Sequence, residues 1–168
     1  NCAPITSAAV AGVLSSTLPD INMVSAPTIA RDKGIAITET KKDEQSAYES
    51  YIRINLVSKK EKFSIGGTIF SDGQPRIVQI NGINLEAGLM PNMLYVTNKD
   101  VPGLIGSLGN ILGDEKINIA SFNLGRTGPL KDAIALIGVD KAVNDNVIKE
   151  VEKLDSVVQV KSLNFNII

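Results

Sequence analysis

Between Met93 and Ile119 the sequence MLYVTNKDVPGLIGSLGNILGDEKINI sets out a strand, a tight polar loop, an amphipathic helix and a turn into a second strand. Leu104, Ile105, Leu108, Ile111 and Leu112 fall at i, i+1, i+4, i+7 and i+8, the spacing of one helical face. Just ahead of that face Asn98, Asp100, Pro102 and Gly103 crowd into six residues. Proline is pre-set for a first helical turn, and aspartate complements the exposed amides there. The pattern predicts a polar loop over the positive end of a helix, a place suited to a small charged or zwitterionic molecule. An ordinary strand-to-helix connection uses the same residues, so both readings stand at this point.

The residues that follow complete a recognisable order. Ile117 to Leu124 reads as a second strand, and the breaker-rich Arg126 to Lys131 as a turn. Ala133 to Val139 is almost wholly apolar, as a central strand requires. Asn144 suits the N-cap of a second helix, with Val147, Ile148, Val151 and Leu154 on its inner face. Val157 to Lys161 makes a last strand, with Val158 and Val160 on one side. The order is β-α-β-β-α-β, which predicts a ferredoxin-like unit with both helices on one face of a four-stranded antiparallel sheet.

Upstream the signals change. Pro4 to Leu18 reads as a helix, with Ile5, Ala8, Ala9, Val13 and Leu14 packed on a sheet. Ile21 to Ser25 is expected as a short strand, Pro27 to Lys33 as two helical turns closed by Gly34, and Ile35 and Ile37 as the start of another strand. The polar run TETKKDEQSA is a solvated connection. Ile52, Ile54 and Leu56 then alternate with polar residues, one buried face against one wet one. Gly66-Gly67 marks a bulge or close approach, and Asn81-Gly82 is the strongest hairpin signal in the chain. We place a domain boundary at Gly88 to Pro91, giving an α/β domain over residues 1–90 and the ferredoxin-like domain over 91–168. The fold class is α+β.

Composition narrows the chemistry. The chain has no histidine, which removes the commonest general base, the commonest transition-metal ligand and any Ser-His or Cys-His pair. Its one cysteine, Cys2, has no base partner and reads as inert, and no metal site is expected. A formal charge of -1 gives no footprint for nucleic acid, and no apolar run reaches membrane-spanning length. Neither partner is expected, and the simplest compartment is the cytoplasm. An RNA-binding version of the fold would need stacking aromatics on the sheet, where only Tyr95 and Phe122 are available. A metal carrier would need paired thiols. A small-molecule sensor needs only a polar loop such as the one at Asn98.

The residues also carry a resemblance. YVTNKDVPGLIGSLGNILGDEKINIASFNLGR resembles the start of an ACT domain, an amino-acid-sensing module attached to many metabolic enzymes. INMVSAPTIARDKGI, with GGTIF and PRIVQINGINLEA, is similar to the intervening domain of long-form D-3-phosphoglycerate dehydrogenases. The resemblance implies a regulatory, oligomerising portion of the NAD-dependent enzyme that opens L-serine biosynthesis. It covers nearly the whole chain, which is expected to begin inside the intervening domain. NAD would belong to the full-length enzyme. No cofactor and no catalytic residue is expected here, since no G-x-G-x-x-G occurs and Gly103, Gly106, Gly109 and Gly113 read as packing positions.

What the resemblance implies about binding is L-serine held where two ACT domains join their sheets. Asn98 and Asp100 supply the loop half and Asn118, from a neighbouring copy, the other half, with the amides of Gly103 and Leu104 as further donors. A carboxylate suits the ligand ammonium, and amides suit its carboxylate and hydroxyl. Val101 stands where the family often has arginine. A second, anionic site of the family retains only Arg76 at a matching position, while Asn84 and Glu86 replace other basic residues. Arg31, Lys33 and Arg126 are read as solvated surface. Two alternatives stay open: a regulatory region of an L-serine dehydratase, and a purely structural assembly domain. The ordinary reading of the same residues makes Asn98 a turn residue, Asp100 a helix cap and Asn118 a strand-entry turn residue.

Overall fold

A computed structural model describes residues 2–41, 48, 50–128 and 131–165. By its contacts the chain divides into two compact units, Asn1–Ser46 and Ala47–Ile168.

In the first unit α1 (Ala3–Ser15) packs on α2 (Ala26–Asp32). Leu14, Ala26 and Ala30 are its buried residues. Ile5 and Val13, expected to pack on a sheet, are exposed, because this unit has no strand among the described residues. Ile21 to Ser25 is a turn, not the expected strand. Asn22 Oδ1 accepts the amides of Val24 and Ser25 at 2.9 and 3.0 Å, which bends the backbone away from extension. Ile35 and Ile37 likewise join no ladder. Gly34, at φ +72°, ends α2 as expected, and the amide of Ile35 donates to the carbonyl of Ala30 at 2.9 Å. Much of the expected solvated connection, residues 42–47, lies outside the described residues.

The second unit holds two sheets. The first is an antiparallel meander of β1 (Ile52–Val57), β2 (Lys62–Ile69), β3 (Pro75–Ile80) and β4 (Ile83–Gly88). Asn81 and Gly82, at φ 48° and 79°, make the two-residue turn that aligns Ile80 with Ile83. The register slips at Gly66/Gly67, where the expected bulge forms. The expected buried face of β1 does not form. Ile52 and Leu56 are exposed because β1 is an edge strand.

The second sheet is built from β5 (Asn92–Lys99), α3 (Leu104–Asp114), β6 (Ile119–Arg126), β7 (Asp132–Val139), α4 (Asp145–Glu152) and β8 (Val157–Asn164). Its strand order β6-β7-β5-β8 is that of an antiparallel βαββαβ ferredoxin-like fold. The whole is mixed α+β. Asn144 caps α4, its Oδ1 accepting the Val147 amide at 3.0 Å. Leu108, Leu112, Val147 and Val151 of the two helices bury completely against Leu94, Val96, Ala135 and Ile137 of the sheet. Full burial of each large side chain stabilises by about 1.5–3 kcal/mol, so this layer holds the fold together. Val158 does not join Val160 in that layer and stays 66% exposed. The ladder slips where Thr97 pairs with Gln159 but Asn98 with Val157, leaving Val158 unpaired on an outward bulge.

The face of this sheet away from the helices is covered too. Ile80, Ile83, Leu85 and Ala87 of the meander form a second core with Met93, Tyr95, Ile134 and Leu136. Alternation along β5 thus sends Leu94, Val96 and Asn98 toward the helix side, and Met93 and Tyr95 toward β4. The helix glycines are not packing positions. A Cβ on Gly106, Gly109 or Gly113 would meet nothing within 4 Å. Among the described residues, no helix is long and apolar enough to cross a membrane.

Candidate functional site

Asn98 is the last helix-side residue of β5 before the loop, and it continues the apolar row of Leu94 and Val96. It is only 3% exposed. Its Nδ2 donates to the carbonyl of Lys99 at 2.9 Å, while its buried Oδ1 has no hydrogen-bond partner. Buried polar atoms are nearly always paired, so an orphaned amide oxygen is a departure that asks for a donor.

Asn98 is one of the residues lining a depression of about 430 Å³. The loop Asp100 to Gly103 forms one wall, the first turn of α3 a second, and Leu124 and Arg126 of β6 a third. Helix α3 begins later than the sequence predicts. Gly103, at φ +102°, is its N-cap, Pro102 lies outside it, and no acidic residue occupies its first turn. The left-handed backbone at Gly103 turns the chain sharply into the helix. Gly103 has no side chain to cap that end, so the first-turn amides, which lack intrahelical acceptors by position, gain no acceptor from the N-cap residue.

Asp100 is therefore not the helix cap of the ordinary reading. Its own amide donates to the carbonyl of Lys131 at 2.8 Å, and its Oδ2 lies 3.2 Å from Nε of Arg126. The Asp100 side chain is 16% exposed and that of Arg126 54%. Asp100 is thus the less exposed member of an ion pair whose cationic member faces water.

Arg126 is the residue that sequence reasoning missed. The breaker-rich run Arg126 to Lys131 reads as a turn, which ends the expected strand at Leu124. In the structure β6 runs two residues further, through Arg126, and Pro129 and Leu130 lie outside the described residues. The available signal was the alternation of Phe122, Leu124 and Arg126, which puts all three on one face.

The expected site residues fall into two places. Asn98, Asp100, Gly103 and Leu104 line the one depression. Asn118 does not. It precedes the opposite end of β6, about 25 Å from Arg126 at strand spacing. There its amide donates to Oδ1 of Asp140 at 3.0 Å. Among the described residues, no group of three or more His, Cys, Asp or Glu side chains is placed to hold a metal.

Comparison with known families now adds the decisive observation. Residues 1–81 match the D-3-phosphoglycerate dehydrogenase intervening domain and residues 92–156 match the ACT domain. The chain carries both domains, in that order. Proteins named D-3-phosphoglycerate dehydrogenase are similar to it along most of its length. That of Bacillus subtilis is 30% identical over 95% of the chain, that of Synechocystis sp. 30% over 92%, and that of Methanocaldococcus jannaschii 34% over 91%. The chain spans only 31%, 28% and 29% of those proteins, and it corresponds to their C-terminal regulatory part.

Within the intervening domain, Arg76 is already engaged. Its Nη2 reaches Oδ2 of Asp72 at 2.9 Å, and its guanidinium lies 5.4 Å from the ring centroid of Phe70. An anion arriving there would compete with Asp72. In the ACT domain the depression after the first strand lies instead beside an orphaned acceptor and first-turn amides without a cap.

Proposed function

We propose that this chain is the regulatory and oligomerising portion of a D-3-phosphoglycerate dehydrogenase, and that its ACT domain senses L-serine. The full-length enzyme would oxidise 3-phosphoglycerate with NAD in the first step of L-serine biosynthesis. The supporting observation is the depression at the β5–α3 loop, which is lined by Asp100 and by Asn98, whose buried Oδ1 lacks a donor. A ligand ammonium supplies donors to both, and the amides of the loop at Gly103 and Leu104 supply donors to a ligand carboxylate.

The residues here do not fit NAD. Among the described residues every strand pairing is antiparallel, so they form no parallel β-α-β crevice for a dinucleotide, and α3 lacks the glycine loop that admits a pyrophosphate. We assign NAD and the chemistry to the remainder of the enzyme, in the cytoplasm. Arg76 is kept as the one candidate for an anion site.

Self-association fits the sheet edge. Strand β6 pairs with β7 alone among the described strands, so its other edge has no ladder partner there and could pair with a second copy. Two β6 strands pairing antiparallel about a twofold axis at Phe122 would set Asn118 of the second copy opposite Arg126 of the first. That register delivers the distant half of the expected site to the depression. The test is calorimetric titration of L-serine into the chain, with its dimeric state measured by sedimentation. One serine per ACT domain is expected. A dimer giving no heat at millimolar serine would refute the sensing role.

A further inference from the structure

We propose that Met90 is a reversible oxidation site. As a thioether it fastens the link between the meander and the ACT sheet, and as a sulfoxide it releases that link. The site stands apart from the depression and needs no effector. Leu89, Met90 and Pro91 form the link, between the end of β4 and the start of β5.

The geometry comes from one rung of the ACT sheet. Gly138 of β7 pairs with Met93 of β5 on one side and with Ser121 of β6 on the other. Met93 belongs to the core shared with the meander, so the rung faces that way. Met90 folds back over it. A Cβ on Gly138 would overlap the Met90 sulfur, and the Ser121 hydroxyl donates to that sulfur at 3.5 Å. Gly138 breaks the apolar run of a central strand, where glycine costs stability, and its backbone is not left-handed. The thioether that fills the place of its side chain accounts for the glycine. Pro91 is held separately, its carbonyl accepting the amide of Phe165 at 2.8 Å.

The niche suits a bare sulfur and not its oxide. A thioether is soft, apolar and a weak acceptor, whereas the sulfoxide is polar and chiral and carries an added oxygen. In the step, a sulfur lone pair attacks the outer oxygen of a hydroperoxide. The S–O bond forms as the O–O bond breaks, and the departing oxygen takes the peroxide proton and leaves as an alcohol or water. Sulfur gives up two electrons and the peroxide gains them. A thiol-dependent sulfoxide reductase reverses the change, two thiols becoming a disulfide while the oxygen leaves as water. Exposure singles out Met90 among the three methionines. Met23, in the turn before α2, is 47% exposed and belongs to neither buried cluster, while Met93 is 1% exposed and sealed. Met90 is partly buried, packed against the second core yet open to a small oxidant.

The experiment treats the 168-residue chain with hydrogen peroxide and follows each methionine by peptide mass spectrometry. Met23→Leu serves as background, removing the exposed competitor. Met90 should gain one oxygen about tenfold faster than Met93, since oxidation follows exposure. The thermal midpoint should fall with it by about 2–4 °C. Reductases for both sulfoxide epimers, with a dithiol, should restore the mass and the midpoint together. Met90→Leu should show no such fall under peroxide. Gly138→Ala puts a methyl group in the niche of the sulfur, so Met90 should oxidise faster there and its oxidation should move the midpoint little. Oxidation of Met90 no faster than that of Met93 overturns the site. A midpoint unmoved when Met90 is fully oxidised, or an equal fall in Met90→Leu, overturns the release.

Discussion

The carbonyl oxygen of Asn84 stands 2.6 Å from the point that a Cβ on Gly125 would occupy. Strand β4 crosses over β6 there, with Cγ2 of Ile83 at 2.8 Å and Cβ of Leu85 at 3.1 Å from the same point. Two of these neighbours are backbone or Cβ atoms, which cannot swing aside as a flexible side-chain tip can. Gly125→Ala must push the meander off the ACT sheet. Overpacking of this kind costs about 1–3 kcal/mol, and a urea titration should show the midpoint falling accordingly. Gly125 sits between Leu124 and Arg126, so the same variant should also weaken serine binding.

Gly109 behaves in the opposite way. It lies in the middle of α3, and an added methyl would touch nothing within 4 Å. Glycine there leaves the unfolded chain more freedom than alanine would, with no packing gained in return. Gly109→Ala should therefore stabilise the chain by about 0.5–1 kcal/mol in the same urea titration. A destabilised variant would mean that the open space beside α3 is filled by a partner in solution.

Helical and strand periodicities in the ACT half located every element, because each element there has a wide apolar face and a covered partner. The first 46 residues were misread where apolar runs resembled strands. A strand needs a neighbour to accept its amides, and Asn22 satisfied them locally instead. In the candidate site, Asn98 and Asp100 were visible as polar residues in a short loop. Arg126 was not, since its place beside Asp100 depends on the pairing of β6 with β7, and strand ends are set by cross-strand hydrogen bonds rather than by local composition. Likewise no local pattern marks Gly125, whose constraint comes from β4, a strand distant in sequence, lying across it.

Tyr95 ties stability to pH. Its ring is buried between the two sheets, and burial raises its hydroxyl pKa above the ordinary value of 10.0. The folded chain then holds this proton more tightly than the unfolded chain. The stabilisation is fully present below pH 10 and is lost as pH rises through the higher folded value. Alkaline urea titrations should show a falling midpoint in the native chain and a flatter profile in Tyr95→Phe, which cannot ionise. Identical slopes would mean that the hydroxyl reaches water readily.

Asn98 sets stability against binding. Its Oδ1 is buried without a donor, and such a group costs about 1–3 kcal/mol relative to the solvated unfolded chain. Leucine has the same branching at Cγ and no polar atoms, and the row it would join, Leu94 and Val96, is already apolar. The lost bond from Nδ2 goes to the carbonyl of Lys99, whose oxygen keeps the Val101 amide at 2.8 Å as a donor. Without ligand, Asn98→Leu should thus be neutral or more stable by up to about 1 kcal/mol, against the usual destabilisation from a buried substitution. With L-serine present the order should reverse. The native chain would gain stability with ligand concentration by mass action, and the variant, lacking the acceptor, would gain little. Thermal midpoints measured with and without millimolar L-serine check both halves. A variant destabilised in the absence of ligand would show that Asn98 is kept for the fold, and equal ligand shifts in the two chains would show that its oxygen never meets the effector.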